Sequence, residues 1–382
     1  MPETYKSQVI ELAQAMIKVN SFESEGKHKL VNFVKDLLEE KTDAKVTLYD
    51  MDSVDPYLIA ERTCENPKHK VLLSGHLDTV TPEGMKNPFN PIIDNNKMWG
   101  RGSADMKSGC AAQLIAFIET AKLKNQNGNV YLIFTTDEEY SSKKIRKALE
   151  SGHLPKCDFC IVSEPTSGQL GIAHKGEAWI EVNFIGKSAH SSVPHEGINA
   201  IYMANKFISK MEEYGNRAYE ELNELPYGKP TIGVGVIHGG TDANVVPHQC
   251  SIIIDKRYPP GHTLEMFIEE VEQIIKECEN EYSNFKAIAS VKGDWPPVMF
   301  PMDNEMFAEI KRTIDSTLET PTQTVNLPYW AEGGFIQMFD IPVLYYGPGI
   351  IDYAHSPNEK VNIHDIIRAT ESIYALLRKF CY

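Results

Sequence analysis

Hydrophobic residues recur along this chain with two different spacings. Residues 5–40 carry their apolar side chains at helical spacing, and the second of the two helices predicted there begins at Ser24. Farther along, short uninterrupted apolar runs predict buried strands at 70–75, 129–136, 158–164 and 341–347. Helical spacing returns at 107–122 and 303–318, between or around these runs. The alternation predicts an α/β domain whose mainly parallel sheet carries helices on both faces.

The middle of the chain has a different pattern. Alternating apolar and polar residues predict strands, and amphipathic spacing predicts helices, in the order 177–186, 198–214, 231–240, 249–258, 263–280 and 286–293. This order of strand, helix, strand, strand, helix and strand is that of a ferredoxin-like unit. We therefore predict an α/β domain formed by residues 1–175 and 294–382, with an α+β domain inserted at 176–293.

Composition and charge indicate which classes of binding partner the protein is not expected to have. The 382 residues include 38 Lys and Arg against 53 Asp and Glu, a formal net charge of −15. Because an acidic surface repels phosphate backbones and anionic lipids, we expect neither a nucleic acid nor a membrane as partner. No signal peptide is evident, and the seven dispersed cysteines are typical of a reduced, cytoplasmic protein. Cys157 and Cys160 form a C-x-x-C pair that we interpret as two structural thiols, because a strand pattern follows them.

Residue types that bind metal ions follow four of the predicted strands. They are His76 with Asp78, the run Asp137–Glu138–Glu139, Glu164, and His355; Asp105 adds a carboxylate in a Gly-rich loop before the helix at 107. In open α/β sheets, ligands bind beyond the carboxyl ends of the strands, so the sheet is expected to gather these residues. Imidazoles and carboxylates without thiolates suit a hydrolytic zinc site with open positions for water.

The chemistry of such a site suggests how tasks divide among these residues. A carboxylate such as Asp105 can bridge two ions, and Asp78 suits a partner that fixes the tautomer of His76. Two metal ions polarise a carbonyl and generate hydroxide near neutral pH. Proton transfer still needs a carboxylate that is not a ligand. The adjacent Glu138 and Glu139 can share the work, one binding metal and the other moving the proton.

Each of these residues also has an ordinary structural explanation. A lone histidine at a strand end is more often a hydrogen-bonded loop residue, and the acidic run 137–139 alone is more often a solvated turn. Asp105 is also explained as the N-cap of its helix. The chain lacks the G-x-G-x-x-G, P-loop, H-E-x-x-H and G-x-S-x-G patterns, which argues against those other sites. Together, however, four such coincidences at strand ends and a fifth in the Gly-rich loop are improbable, so the sequence favours a metal site.

Five segments of the chain resemble, in the same order, the signature segments of one enzyme family: SGHLDTV, GRGSADMKSG, TTDEE, SEPT and AHSPNE. It is the co-catalytic zinc family of acetylornithine deacetylase, succinyl-diaminopimelate desuccinylase, aminoacylases and glutamate carboxypeptidases. The resemblance covers nearly the whole chain and implies two Zn²⁺ ions per subunit, for which Co²⁺ or Mn²⁺ could substitute. The implied ligands are His76, Asp105 and Glu164 for one ion, and Asp105, Glu139 and His355 for the other.

The same resemblance assigns roles beyond metal binding. It implies that Glu138 is the general base and acid and that Asp78 orients His76. It also implies a cis peptide bond between Asp105 and Met106.

The resemblance further implies that the inserted domain is a lid that forms a homodimer and helps to bind substrate. His190 matches the family histidine that reaches into the active site of the other subunit. Asn244 and Arg257 resemble its binders of the substrate carboxylate. Without the resemblance, His190 would be interpreted as a surface-loop residue and Arg257 as the ion-pair partner of an acid such as Asp255.

The segment AEGGFIQ (331–337) resembles the deacetylase and desuccinylase branch, although Gly333-Gly334 replace an Ala-Pro of the deacetylases. We predict that Gly333 and Glu332 contact the substrate, and that Glu332 binds a cationic side chain of the substrate. The leading hypothesis is metal-dependent hydrolysis of the amide bond of a small N-acyl amino acid. The alternatives are a dizinc exopeptidase or dipeptidase and, from another class, a catalytically silent binding protein. The base Glu138 favours an enzyme, since a silent relative does not need it.

Overall fold

The computed structural model describes residues 4–221 and 228–382. Within these residues the α-helices are α1 (Tyr5–Ile17), α2 (Ser24–Lys41), α3 (Lys107–Ala121), α4 (Lys143–Glu150), α5 (Ala200–Glu221), α6 (Leu264–Glu281), α7 (Glu305–Leu318), α8 (Gly333–Gln337) and α9 (Ile363–Cys381). The strands are β1 (Lys45–Tyr49), β2 (Tyr57–Arg62), β3 (Lys70–His76), β4 (Ile92–Asp94), β5 (Lys97–Trp99), β6 (Asn129–Thr135), β7 (Phe159–Val162), β8 (Leu170–His174), β9 (Gly176–Ile185), β10 (Thr231–Gly239), β11 (Gln249–Tyr258), β12 (Ala287–Trp295), β13 (Val298–Met299), β14 (Thr324–Leu327), β15 (Val343–Tyr345) and β16 (Lys360–Asn362).

The chain divides into two compact units. The first comprises Met1–Ile172, Met299–Leu327 and Ala331–Tyr382, and the second comprises Ala173–Val298 and Pro328–Trp330. The insertion predicted at 176–293 lies within the second unit. No helix in the described part of the chain is both long and apolar enough to span a lipid bilayer.

The largest sheet has the strand order β1-β2-β6-β3-β7-β15-β8-β13, with β14 paired to β8. Its centre is parallel: β6 pairs with β3, β3 with β7, and β7 with β15. The strands β1 and β2 are antiparallel and extend it on one side. The predicted mainly parallel sheet is therefore confirmed. The antiparallel edge strands lie outside the predicted set, because a half-exposed run such as KVTLY (45–49) does not stand out from loop sequence.

Burial explains why the central strands consist of continuous apolar runs. Every residue of β6 is buried, and β3 is buried except at Lys70. The helices α1, α3, α7 and α9 pack with these strands into one hydrophobic core. Helix α2 begins at Ser24, as predicted, but the Ser24 hydroxyl donates to Val54 O and does not cap the helix.

The second unit follows the predicted element order, with β9, α5, β10, β11, α6 and β12 in sequence. Its strands form an antiparallel sheet in the order β10-β11-β9-β12. Alternate residues of β9 are buried, and they share a second hydrophobic core with the apolar faces of α5 and α6. The predicted ferredoxin-like insertion is therefore confirmed as a separate antiparallel layer.

Candidate active site

Five segments of the first unit carry the predicted metal ligands to the carboxyl edge of the parallel strands. His76 ends β3, Glu139 follows β6, and Glu164 follows β7. Asp105 lies just before α3, and His355 lies in the loop after β15. Positions scattered along the chain thus meet because parallel strands end at the same edge.

A glycine lets helix α3 approach β7 closely. A Cβ atom on Gly109 would lie 2.2 Å from the carbonyl oxygen of Ser163, a distance that no other residue tolerates. The start of α3 therefore lies against the end of β7. This contact brings the loop of Asp105 beside Glu164.

The first donor group consists of His76, Asp105 and Glu164, all buried. His76 Nε2 lies 3.1 Å from Asp105 Oδ1 and 3.7 Å from Glu164 Oε1. Burial opposes protonation of His76, but its hydrogen bonds with Asp105 and Asp78 outweigh this and raise its pKa well above the usual range. The peptide bond between Asp105 and Met106 is cis, as the resemblance implied.

The second donor group consists of Asp105, Glu139 and His355. His355 Nε2 lies 3.3 Å from Asp105 Oδ2 and 2.9 Å from Glu139 Oε2. Hydrogen bonds with these two carboxylates raise the pKa of His355 to about 10. The backbone of His355 adopts φ 57°, in the left-handed region that non-glycine residues seldom occupy and that recurs at functional sites. Asp105 therefore presents one oxygen to each imidazole.

The two groups fit a pair of divalent metal ions. In each group the donor atoms lie within 4.8 Å of one another. Two buried oxygens, Glu139 Oε1 and Glu164 Oε1, have no hydrogen-bond partner among the residues that the structure describes. Because buried polar atoms are nearly always bonded, each of these oxygens marks a position for a ligand, one in each group.

The close spacing of the buried carboxyl groups also favours the binding of cations. Burial, together with the charge on Asp105, raises the pKa of Glu164 well above its usual range and that of Glu139 to about 7. Burial acts in the same direction on Asp105, but hydrogen bonds from His355 and His76 outweigh it and lower its pKa. A divalent cation would let all three carboxylates stay ionised together.

Glu138 and Asp78 lie beside the donor groups. Asp78 Oδ1 and Oδ2 accept the backbone N–H groups of Glu138 and Glu139, at 3.3 and 3.2 Å. His76 Nδ1 is 3.1 Å from the backbone oxygen of Asp78 and 3.4 Å from its carboxylate. Burial raises the pKa of Glu138 well above its usual range; the charge on His76 opposes this shift, and that on Glu164 adds to it. Asp78 thus fixes both the imidazole and the backbone of the acidic turn.

Residues 72–379 match peptidase family M20/M25/M40. The chain belongs to this family. Acetylornithine deacetylase of Photorhabdus laumondii is 33% identical over 318 residues, which cover 81% of this chain and 80% of that protein. The acetylornithine deacetylase of Vibrio vulnificus is also 33% identical, over 82% of each chain.

Solved structures of other hydrolases share the fold, and one of them is described as an M20 family enzyme. A tripeptidase from Staphylococcus aureus matches with a TM-score of 0.78 at 20% identity, over 98% of each chain. A metallo-carboxypeptidase from Sulfolobus solfataricus matches with a TM-score of 0.71 at 20% identity, over 98% of this chain and 99% of that one. The resemblance stated from the sequence is therefore confirmed. As a member of the M20 family, the chain is a metallohydrolase that acts on C–N bonds and not a silent binding protein.

The substrate-site residues predicted in the inserted domain of this M20 enzyme occupy two places in the second unit. His190 pairs with Val245 in an isolated β-bridge, so His190 and Asn244 lie close together, both exposed. Arg257 lies elsewhere, on β11, where its guanidinium contacts Glu177 Oε1 at 2.6 Å and Asp255 Oδ1 at 3.0 Å. Arg257 is thus bound by local acids here, and its contact with a substrate stays a prediction.

The predicted substrate-binding residues at the start of α8, Glu332 and Gly333, are buried. Glu332 is fully buried, and its carboxylate accepts hydrogen bonds from Ser74 Oγ at 2.7 Å and Thr135 Oγ1 at 2.8 Å. A Cβ on Gly333 would lie 2.3 Å from the hydroxyl oxygen of Tyr345, so this glycine allows close packing of α8 on β15. The Glu332 carboxylate therefore lies between β3 and β6. Because it is fully buried there, its burial argues against the predicted contact with a substrate cation.

Two residues of the site were missed by the sequence analysis, although both lie in the segments that carry the resemblance. Arg101 and Glu359 form a buried ion pair with NH1 and Oε2 2.6 Å apart. The only signal in the sequence was a charged residue inside each of two segments that carry the resemblance, Arg101 in GRGSADMKSG and Glu359 at the end of AHSPNE. Nothing local in the sequence indicated that the two residues meet.

Proposed function

We propose that this M20 enzyme hydrolyses the amide bond of a small N-acyl amino acid, using two Zn²⁺ ions and Glu138 as general base. The observation that carries the proposal is the pair of donor groups sharing Asp105, with Glu138 beside them. The acyl amino-acid substrate is supported by the acetylornithine deacetylases that are 33% identical over four fifths of the chain. Because Gly333-Gly334 depart from the Ala-Pro of the deacetylase pattern, the proposal covers N-acyl amino acids as a class and not acetylornithine in particular.

The chain's own residues would divide the reaction as follows. His76, Asp105 and Glu164 would hold one ion, and Asp105, Glu139 and His355 the other. Bound there, the ions would supply Lewis-acid polarisation of the amide carbonyl and acidify a water molecule.

Glu138 would move the proton. Its carboxylate would accept a proton from the attacking water and deliver it to the leaving nitrogen. Asp78 would support this transfer, because its oxygens accept the N–H groups of Glu138 and Glu139 and so limit the movement of the acidic turn. An acceptor held in place before the reaction loses less orientational freedom in the transition state.

Substrate binding would involve the second unit. We infer that Arg257 binds the substrate carboxylate in exchange for its contacts with Glu177 and Asp255, which leave 39% of its side chain exposed. Asn244 would add an amide donor. His190 would act across a homodimer, where an imidazole donor could stabilise the developing oxyanion.

A hydrolysis screen tests the proposal. Zinc-loaded protein is offered N-acetyl and N-succinyl amino acids alongside unmodified dipeptides, and release of free amine is followed. We expect hydrolysis of one N-acyl series at least tenfold faster than of any dipeptide. Glu138→Gln serves as the control against contaminating hydrolases. Faster hydrolysis of dipeptides would contradict the deacylase proposal and favour a dizinc exopeptidase or dipeptidase.

A further inference from the structure

Arg101 and Glu359 are a buried ion pair outside the two donor groups. Arg101 is 2% exposed and Glu359 1% exposed, and Arg101 NH1 donates to Glu359 Oε2 at 2.6 Å. Moving two such charges out of water often costs more than their attraction recovers. Stability alone is therefore a weak explanation for this pair.

The other oxygen of Glu359 binds the backbone next to the shared ligand. Glu359 Oε1 accepts the N–H groups of Ala104 at 2.9 Å and of Asp105 at 3.2 Å. These two peptide groups directly precede the Asp105 side chain, which faces both imidazoles. The Glu359 carboxylate thus fixes the backbone from which Asp105 projects.

Glu359 also lies in the loop that carries His355. The strand β16 begins at the next residue and pairs with β5, with Lys360 opposite Trp99. Gly100 N donates to Glu359 O at 3.3 Å, which continues the contact toward Arg101. The loops 100–105 and 355–359 are therefore joined through both backbone and side chain.

We propose that Arg101 and Glu359 position Asp105 and His355 relative to each other, and so determine the metal affinity of the group that contains Glu139. This inference rests on the metal-binding part of the proposed function. Glu359 supplies the acceptor, while Arg101 balances its charge and holds its second oxygen. Partners of metal ligands typically change affinity by about 10–100-fold when removed. The first donor group shares only Asp105 with these loops, so its ion depends less on the pair.

Two double variants separate the acceptor from the charge. Arg101→Met with Glu359→Gln removes both charges but keeps an oxygen for the Ala104 and Asp105 N–H groups. Arg101→Met with Glu359→Leu removes the acceptor as well, at similar volume. Stepwise Zn²⁺ binding to metal-free protein is measured by competition with a chromophoric chelator, and His355→Ala identifies the step that belongs to its group. We expect the Leu variant to bind that ion about 10–100-fold more weakly than the Gln variant, with a smaller change in the other step.

Two further variants guard against a general loss of structure. Arg62→Met removes another buried guanidinium of the same unit, paired with Asp43, and should lower the melting temperature without a selective loss of one ion. If the Leu variant does not fold, Glu359→Asp keeps the charge but is too short to reach both Arg101 and the two amides, and it should weaken the same ion.

Equal affinities of the Gln and Leu double variants would overturn the inference, as would unchanged Zn²⁺ binding by Glu359→Asp or an equal weakening of both ions. No substrate enters this measurement. A protein that binds Zn²⁺ as expected but does not hydrolyse N-acyl amino acids would contradict the proposed function and leave this inference standing.

Discussion

Replacing Glu332 by glutamine should stabilise the metal-free protein at alkaline pH and not in acid. Glu332 is fully buried between β3 and β6. Burial raises its pKa from the ordinary 4.5 to about 7, although the hydrogen bonds from Ser74 and Thr135 oppose the shift. Glutamine has nearly the same shape as the protonated acid and does not titrate.

The raised pKa of Glu332 determines whether stability falls or rises with pH. Because the pKa of Glu332 is higher in the folded than in the unfolded state, its proton stabilises the fold below about pH 4.5, and this contribution is lost as the pH rises through about 7. The full difference corresponds to about 3 kcal/mol, of which about 2 kcal/mol develop between about pH 5.5 and 8.5. Wild type loses this free energy as the pH rises, and Glu332→Gln keeps it.

Urea unfolding after chelation of metals measures the effect. The free energy of unfolding of Glu332→Gln minus that of wild type should be larger, by about 2 kcal/mol, at about pH 8.5 than at about pH 5.5. This comparison cancels the other titrating groups. Thr135→Val removes one hydrogen-bond donor to Glu332, and this bond lowers the pKa of Glu332. In Thr135→Val the loss of stability with rising pH should therefore extend to higher pH than in wild type. A change below about 0.5 kcal/mol, or one of opposite sign, would refute the reasoning.

Four further predictions concern the site itself. Glu138→Gln should keep both metals and lose at least about 10²–10⁴ in kcat; near-normal turnover, or loss of a metal by metal analysis, would contradict its role as the base. His355→Ala should weaken one ion and Asp105→Ala both in a Zn²⁺ titration, whereas saturation of wild type at one ion with full activity would exclude a two-metal site. Arg257→Lys should raise KM strongly for substrates with a free α-carboxylate and hardly affect amidated ones, since lysine lacks the bidentate fork; equal loss on both would indicate a structural role. Mixing inactive Glu138→Ala and His190→Ala subunits should restore activity if His190 acts in trans, and no recovery despite demonstrated subunit exchange would reject that arrangement.

The clustering of the candidate metal ligands could be predicted because their positions depend on local patterns. His76 and Glu164 each end, or closely follow, a strand that its apolar residues identify. Once the sheet is known to be parallel, the strand ends must meet at one edge, whatever the order of the strands. The strand order was not predictable, because it depends on pairings such as β3 with β7 between distant segments.

The supporting residues could not be predicted by the same argument. Arg101 and Glu359 are separated by most of the chain, and each alone has the sequence signature of a solvated loop charge. Their burial depends on the pairing of β5 with β16, two strands of three residues each. Strands this short carry too few residues to show a period, so no local pattern indicated that these loops meet.

Glu332 illustrates how the direction of a side chain decides its function. Its position in a Gly-rich segment suggested a substrate contact, and an acid in an open loop would be free to make one. The segment instead enters the short helix α8, and Gly333 lets that helix pack directly against Tyr345. The Glu332 carboxylate consequently lies between Ser74 and Thr135, which precede His76 and the acidic turn on adjacent strands. Hydrogen bonds to both strands restrict the sliding of β3 and β6 relative to each other, so Glu332 can influence the spacing of the candidate metal ligands without touching a substrate.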